Sequence, residues 1–146
     1  EEGYLKGILE QRRKMMPALN YKRRFAPKVE RGEKLQTIRK KRKYPIEEGD
    51  RLYHYTGQRT KKCRKLGESV CSKVTEIMID MEDGFTIVIL GGQSLSSTTI
   101  RVLARKDGFR NEFEFCQFFK DTYDQSPFCG VLIEWEEIHA ESLPEA

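Results

Sequence analysis

The 146-residue chain has little of what marks the commonest catalytic and metal-binding classes. Histidine occurs twice, as His54 and His139, tryptophan once, as Trp135, and proline five times. The four cysteines, Cys63, Cys71, Cys116 and Cys129, form no C-x-x-C pair. A structural zinc site draws its ligands from clusters at short spacings, so neither metal nor cofactor is expected. No apolar run approaches the ~20 residues of a membrane helix, and no secretory signal pattern opens the chain. With no export signal, the expectation is a cytoplasmic monomer with reduced thiols and no membrane partner. Cys116 and Cys129, set among apolar neighbours, read as small core residues. A Gly-rich phosphate loop is absent too, which argues against a doubly wound nucleotide-binding sheet.

Charge is abundant and unevenly placed. Charged residues make up 34% of the chain and apolar ones 38%, which fits one compact domain with a heavily solvated surface. Residues 1–75 carry 22 Lys/Arg against 9 Asp/Glu, whereas 76–146 carry 5 against 14, so +13 and −9 combine to the net +4. A basic first half points to a polyanion surface, and the acidic second half argues against a wholly basic coat protein.

The basic charge centres on R-G-E-K-L-Q-T-I-R-K-K-R-K, Arg31 to Lys43. Within it, Gly32, Lys34, Thr37 and Arg39 form G-x-K-x-x-T-x-R. On an extended backbone Thr37 and Arg39 share a face, while Lys34 has the wrong parity and must come from the preceding turn. Gly32 permits that turn. A cation, a hydroxyl and a guanidinium would then converge on something small and polar.

Taken in order, residues 1–15 hold Leu5, Ile8 and Leu9 at helical spacing, yet are read as an extension or leader before a domain spanning 16–140, with a frayed tail at 141–146. Ala18 to Ala26 reads as a strand, with Leu19, Tyr21 and Phe25 inward. Pro27 opens a short helix from Lys28 to Arg31. The motif is the second strand, stopped by Pro45. Arg51 to Thr56 is a third strand, with Tyr53 and Tyr55 on one face and Leu52 and His54 on the other. Gly57 to Gly67, with the five cations Arg59, Lys61, Lys62, Arg64 and Lys65 and no acid, reads as an exposed loop. Val70 to Asp80 is a long strand, supplied with apolar side chains by Val70, Val74 and Ile77 to Ile79. A turn at Glu82-Asp83-Gly84 leads into an apolar central strand, Phe85 to Leu90. Helices follow at Ser96 to Lys106 and Glu112 to Tyr123, capped by hydroxyl residues and Asn111 and buried through Ile100, Leu103, Phe115, Phe118 and Phe119. Cys129 to Ile138 is the last strand. Some six mostly antiparallel strands with flanking helices define an α+β domain on a curved or barrel-like sheet.

G-E-K-L-Q-T-I-R, then G-D-R-L-Y-H-Y-T-G, then A-R-K-D-G-F before an aromatic helix, together resemble the ASCH domain. The likeness runs from about Pro17 to Ile138. It implies a PUA-like β-barrel. The K-x-x-T form is similar to the small bacterial ASCH amidohydrolases that deacylate N4-acylated cytidine with a lysine, a threonine and a later glutamate. The resemblance therefore implies catalytic roles for Lys34 and Thr37, with Asp107 nearest the third position and Glu112 the other candidate. Threonine is a weak nucleophile and needs a base, which Lys34 could supply. The same residues also suit RNA or a modified nucleoside: Arg39, Lys40, Lys41 and the cations of the loop for phosphates, Tyr53 or Tyr55 for stacking on a splayed base. Plainer roles stand beside these: tyrosines as rim packing, Asp107 as a helix cap, His54 as a satisfied strand residue, Trp135 as a core anchor. Three functions follow as expectations: an RNA-binding module, a metal-independent amidohydrolase, and a basic adaptor for an acidic protein partner.

Overall fold

The computed structural model describes residues 2–15 and 17–143, with side chains from 2–8 and 17–143. The domain start at Met16 and the tail beyond Leu143 lie outside the described residues. In chain order the elements are α1 (Glu2–Met15), β1 (Ala18–Tyr21), α2 (Ala26–Glu30), β2 (Gln36–Arg39), β3 (Arg51–Thr56), β4 (Arg64–Glu82), β5 (Phe85–Leu90), β6 (Gln93–Ser94), α3 (Ser97–Lys106), α4 (Glu112–Tyr123) and β7 (Phe128–Trp135). The protein is α+β, with a mostly antiparallel seven-stranded sheet in which β1-β3-β4-β5-β6 are successive neighbours, β2 pairs with β7, and β7 also pairs with β4. Among the described residues no helix is long and apolar enough to cross a membrane.

The chain divides into two compact units. The first holds residues 1–35, 42–74 and 134–146. In it β1 runs parallel to β3, Ala18 opposite Tyr53, and β3 runs antiparallel to the start of β4. Alternation along β3 buries Leu52 and His54 and leaves Tyr53 and Tyr55 half-covered, as parity requires. His54 is fully buried between two hydroxyls, Tyr21 Oη at 2.9 Å from Nδ1 and Ser69 Oγ at 2.7 Å from Nε2. The Trp135 indole lies against its ring at a centroid distance of 4.5 Å.

The first strand stops at Tyr21 rather than Ala26. Backbone bonds from Phe25 and Ala26 to the Lys22 carbonyl turn the chain into α2, which carries proline in its first turn. Phe25 is nevertheless buried. The basic loop is shorter than the sequence implied, because Arg64, Lys65 and Gly67 belong to β4. Gly67 sits at φ 151°, and a Cβ there would lie 2.7 Å from the His139 carbonyl oxygen. Glycine is required by the backbone segment that pairs Glu68 with His139, not by a loop end. That pairing also corrects the frayed tail as far as Leu143. The Leu143 N–H donates to Glu68 Oε1 at 3.1 Å, and its carbonyl accepts from Arg51 at 3.0 Å. Val70, one of the apolar side chains of the long strand, is exposed. Residues 2–15 form a helix, and its described side chains up to Gly7 are exposed.

The second unit holds residues 36–41 and 75–133. Asp83 and Gly84, both at positive φ, make the two-residue turn between β4 and β5. β5 buries only Val88 and leaves Phe85 74% exposed, so this apolar run is not the central strand its composition indicated. Its other neighbour is merely the two-residue β6. Ser96 and Asn111 cap α3 and α4 by accepting from Thr99 and Glu114 backbone N–H groups. The core is aromatic. Phe109, Phe115, Phe119, Tyr123 and Phe128 form a chain of ring contacts with centroids 4.7–6.3 Å apart, and each fully buried phenylalanine contributes roughly 2–3 kcal/mol by area. The last strand ends at Trp135, three residues early, and Cys129 on it is exposed rather than core.

Candidate nucleic-acid interface

The short helix α2 delivers Lys34. Gly32, at φ 75°, ends the helix, and the backbone N–H groups of Glu33 and Lys34 both donate to the Lys28 carbonyl, at 2.8 and 3.0 Å. Lys34 thus leaves a turn, as its parity required. Its side chain is only 3% exposed, with Nζ 5.3 Å from the centre of the buried Phe25 ring. One residue on, the Leu35 carbonyl accepts the Trp135 backbone N–H at 3.1 Å.

In the second unit, β2 carries the rest of the motif. Thr37, 4% exposed, receives the Arg39 Nε–H on its hydroxyl oxygen at 2.9 Å, which confirms their shared face. Gln36, a buried polar residue that sequence reasoning passed over, donates its Nε2–H to Asp107 Oδ1 at 3.2 Å and toward the Leu103 carbonyl at 3.4 Å. Asp107 is 3% exposed and caps the C-terminus of α3. The plainer role anticipated for it is therefore real, and the buried carboxylate is additional.

Tyr123 completes this polar group. Burial pushes its phenol above the ordinary value, Arg39 opposes that shift and Asp107 adds to it, so all three share one electrostatic neighbourhood. The ammonium of Lys40 lies 5.7 Å from the centre of the Tyr123 ring. In the sequence Tyr123 stands only as the end of an aromatic helix. Its signal was its place one turn beyond Phe119 on the buried face. Beyond it, Lys41 pairs loosely with Glu76 at 3.5 Å, on the rim of a cleft of about 410 Å³ lined by Ile77, Met78, Ile89 and Cys129.

The remaining cations belong to the first unit. Arg59, at positive φ, with Lys61 and Lys62, is exposed on the loop. Arg64 and Lys65 each have an acid partner, the distant Glu30 and the nearby Glu68 respectively. Lys65 also lies 5.6 Å from the centre of the Tyr53 ring. Tyr55 is half-buried on the same strand face. Elsewhere in this unit a second cleft of about 410 Å³ gathers Glu48, Glu136, Glu137 and His139, a lining that repels phosphate. Glu112, the alternative acid, is ion-paired with Arg101 at 3.5 Å. Among the described residues, no group of three potential metal ligands occurs.

No family model, curated protein or solved structure matches the chain.

Proposed function

We propose that this chain is an ASCH-like domain with a PUA-like β-barrel, which binds single-stranded RNA and recognises a splayed or modified base. The observation that carries this reading is the Thr37–Arg39 bond, with Lys40 lying on Tyr123 immediately beyond it. Arginine can only donate. A guanidinium seated on the threonine oxygen occupies a lone pair and draws electron density away, which is the opposite of what a nucleophile needs. The same bond restrains the guanidinium, a planar fork whose shape suits a phosphate. Lys40 and Lys41 extend that charge along the strand, and the exposed Arg59, Lys61 and Lys62 supply further phosphate contacts.

A second reading, deacylation of N4-acylated cytidine by Lys34, Thr37 and Asp107, is favoured by one observation: each of the three is less than 5% exposed. Surface cations that track a backbone need no such burial, whereas groups that act on a small molecule do. Both readings are tested together. The purified protein is offered N4-acetylcytidine and, separately, short single-stranded RNA across a salt series. The binding reading expects no turnover and an affinity that falls steeply with salt. Turnover that disappears in Lys34→Ala would replace it with the hydrolase. If neither probe interacts, a basic adaptor for an acidic protein takes precedence.

A further inference from the structure

The cleft of about 410 Å³ beside Lys41 is lined by residues of the second unit. Its apolar wall follows from strand register. Met78 on β4 and Ile89 on β5 are direct partners in the antiparallel ladder, so their side chains stand on one sheet face. Both are half-buried, while Ile77, Ile79 and Val88 alternate to the opposite face and are buried. Glu76 shares the parity of Met78, and its carboxylate lies 3.5 Å from the Lys41 ammonium. Two other lining positions, Gly92 and Gly130, bring no side chain, and Cys129 is exposed. Apolar walls with a few polar groups at the rim are the make-up of a small-molecule site. An acid here does nothing for a phosphate-binding surface, since it engages the lysine and repels phosphate. With the two side chains 61% and 81% exposed, the ion pair is weak and a ligand can enter it.

Lysine only donates and an ionised carboxylate only accepts, so a ligand that satisfies both presents an acceptor beside a donor. Adenine, cytosine and uracil each offer one donor position next to an acceptor. Guanine alone sets two adjacent donors, N1–H and N2–H, beside the O6 carbonyl, and so engages both carboxylate oxygens and the ammonium at once. We infer that this cleft is a guanine subsite: the ring lies on Met78 and Ile89, Glu76 accepts from N1–H and N2–H, and Lys41 donates to O6. This rests on the proposed RNA reading and moves Lys41 from the phosphates to the base, leaving Arg39 and Lys40 to the backbone. The Met78 thioether suits a π face, and the neutral base brings no charge onto the apolar wall.

Short oligouridines carrying one central guanosine, inosine or adenosine are titrated by the anisotropy of an end label. The guanosine RNA should bind roughly tenfold tighter than the adenosine RNA, with inosine, which lacks the N2 amine, between them. Glu76→Gln, at a largely exposed position, should fold normally and lose that preference. Cys129 supplies an independent probe. In the Cys63→Ser protein it is the one exposed thiol among the described residues, and its reaction with a neutral maleimide reports access to the cleft. Saturating guanosine RNA should slow that reaction about tenfold, whereas bound oligouridine should not. Equal affinity for the three RNAs, or an unprotected Cys129 under saturating guanosine RNA, overturns the inference and leaves the RNA reading standing. Protection by guanosine monophosphate with no binding of any RNA overturns the RNA reading and keeps the guanine site, filled by a free nucleotide. No interaction with either overturns both.

Discussion

The Nε–H of Arg39 points at the hydroxyl oxygen of Thr37, 2.9 Å away along one face of a four-residue strand. The two residues have different effects on RNA binding if the guanidinium holds a phosphate and the threonine holds the guanidinium. Arg39→Gln should weaken binding and lower the slope of log affinity against log salt by about one, the signature of one lost phosphate contact. Thr37→Val keeps the shape and the cation but loses the anchor, so affinity should fall only several-fold with the slope nearly unchanged. Filter binding at four or five salt concentrations separates the two. Equal slopes in both variants and the parent would remove Arg39 from the interface.

Glu68 gives the first unit its pH dependence. Burial pushes its carboxyl up, but the hydrogen bonds from Lys65, the Leu143 N–H and Ser142 outweigh burial and hold it below the ordinary 4.5. The folded state therefore binds this proton less readily than the unfolded one. The stabilisation is present above about 4.5 and is lost as pH falls through the lower folded value. Lys65 has the opposite sign, since the bond to Glu68 raises its ammonium above 10.5 and its share persists until pH climbs through that raised value. Urea denaturation from pH 3 to 7 should show stability falling on acidification, with Glu68→Gln less stable at neutral pH and flatter below pH 5. A variant curve parallel to the parent's would show that another carboxylate governs the acid limb.

Much of this was legible in the sequence where local chemistry decides the outcome. Ser96 and Asn111 cap their helices with hydroxyl and amide oxygens, and the Asp83-Gly84 turn follows from residues tolerant of positive φ. That Thr37 and Arg39 share a face followed from strand parity alone, whereas the hydrogen bond between them did not. The misreadings share a non-local cause. Gly67 resembled a loop end because the approach of the His139 carbonyl cannot be seen from its neighbours. Phe85 to Leu90 resembled a central strand because composition does not reveal that its outer neighbour has only two residues. Cys129 resembled core because Phe128 and Val131 are core, while alternation turns the thiol outward. The carboxylate beside Arg64, 34 residues away, and the pairing of Gln36 with Asp107, 71 residues away, depend on tertiary contacts, whereas the Glu68 that pairs with Lys65 lies only three residues on.

The four thiols should divide evenly by reactivity. Burial pushes Cys71 up to about 11 and Cys116 up to about 12, so neither forms appreciable thiolate at mildly alkaline pH, and neither is reached by reagent. Cys63 and Cys129 are exposed. A chromogenic disulfide reagent should titrate two thiols quickly in the native protein and all four in denaturant. Adding Cys129→Ser should leave one fast thiol. Two fast thiols remaining in that variant would return Cys129 to the core.

Gly130 ties the stability of the second unit to the placement of Arg39. A Cβ at position 130 would lie 2.3 Å from the Arg39 carbonyl oxygen and 2.8 Å from the Phe128 ring. The first of these is backbone, which cannot turn aside as a flexible side chain would. Gly130→Ala should therefore force β7 and β2 apart and destabilise the protein by about 1–3 kcal/mol, as overpacking does. Gly7→Ala is the matched control: a Cβ there meets nothing within 4 Å on an exposed helix, and the change should be neutral or mildly stabilising. Because the strand carrying Arg39 is what moves, RNA affinity of still-folded Gly130→Ala should also fall, without the unit loss of salt slope seen in Arg39→Gln. Denaturation and salt-titrated binding of the same three variants decide this. A Gly130→Ala protein that is fully stable would mean that the two strands can separate at that point without cost, and the position of Arg39 would then depend on Thr37 alone.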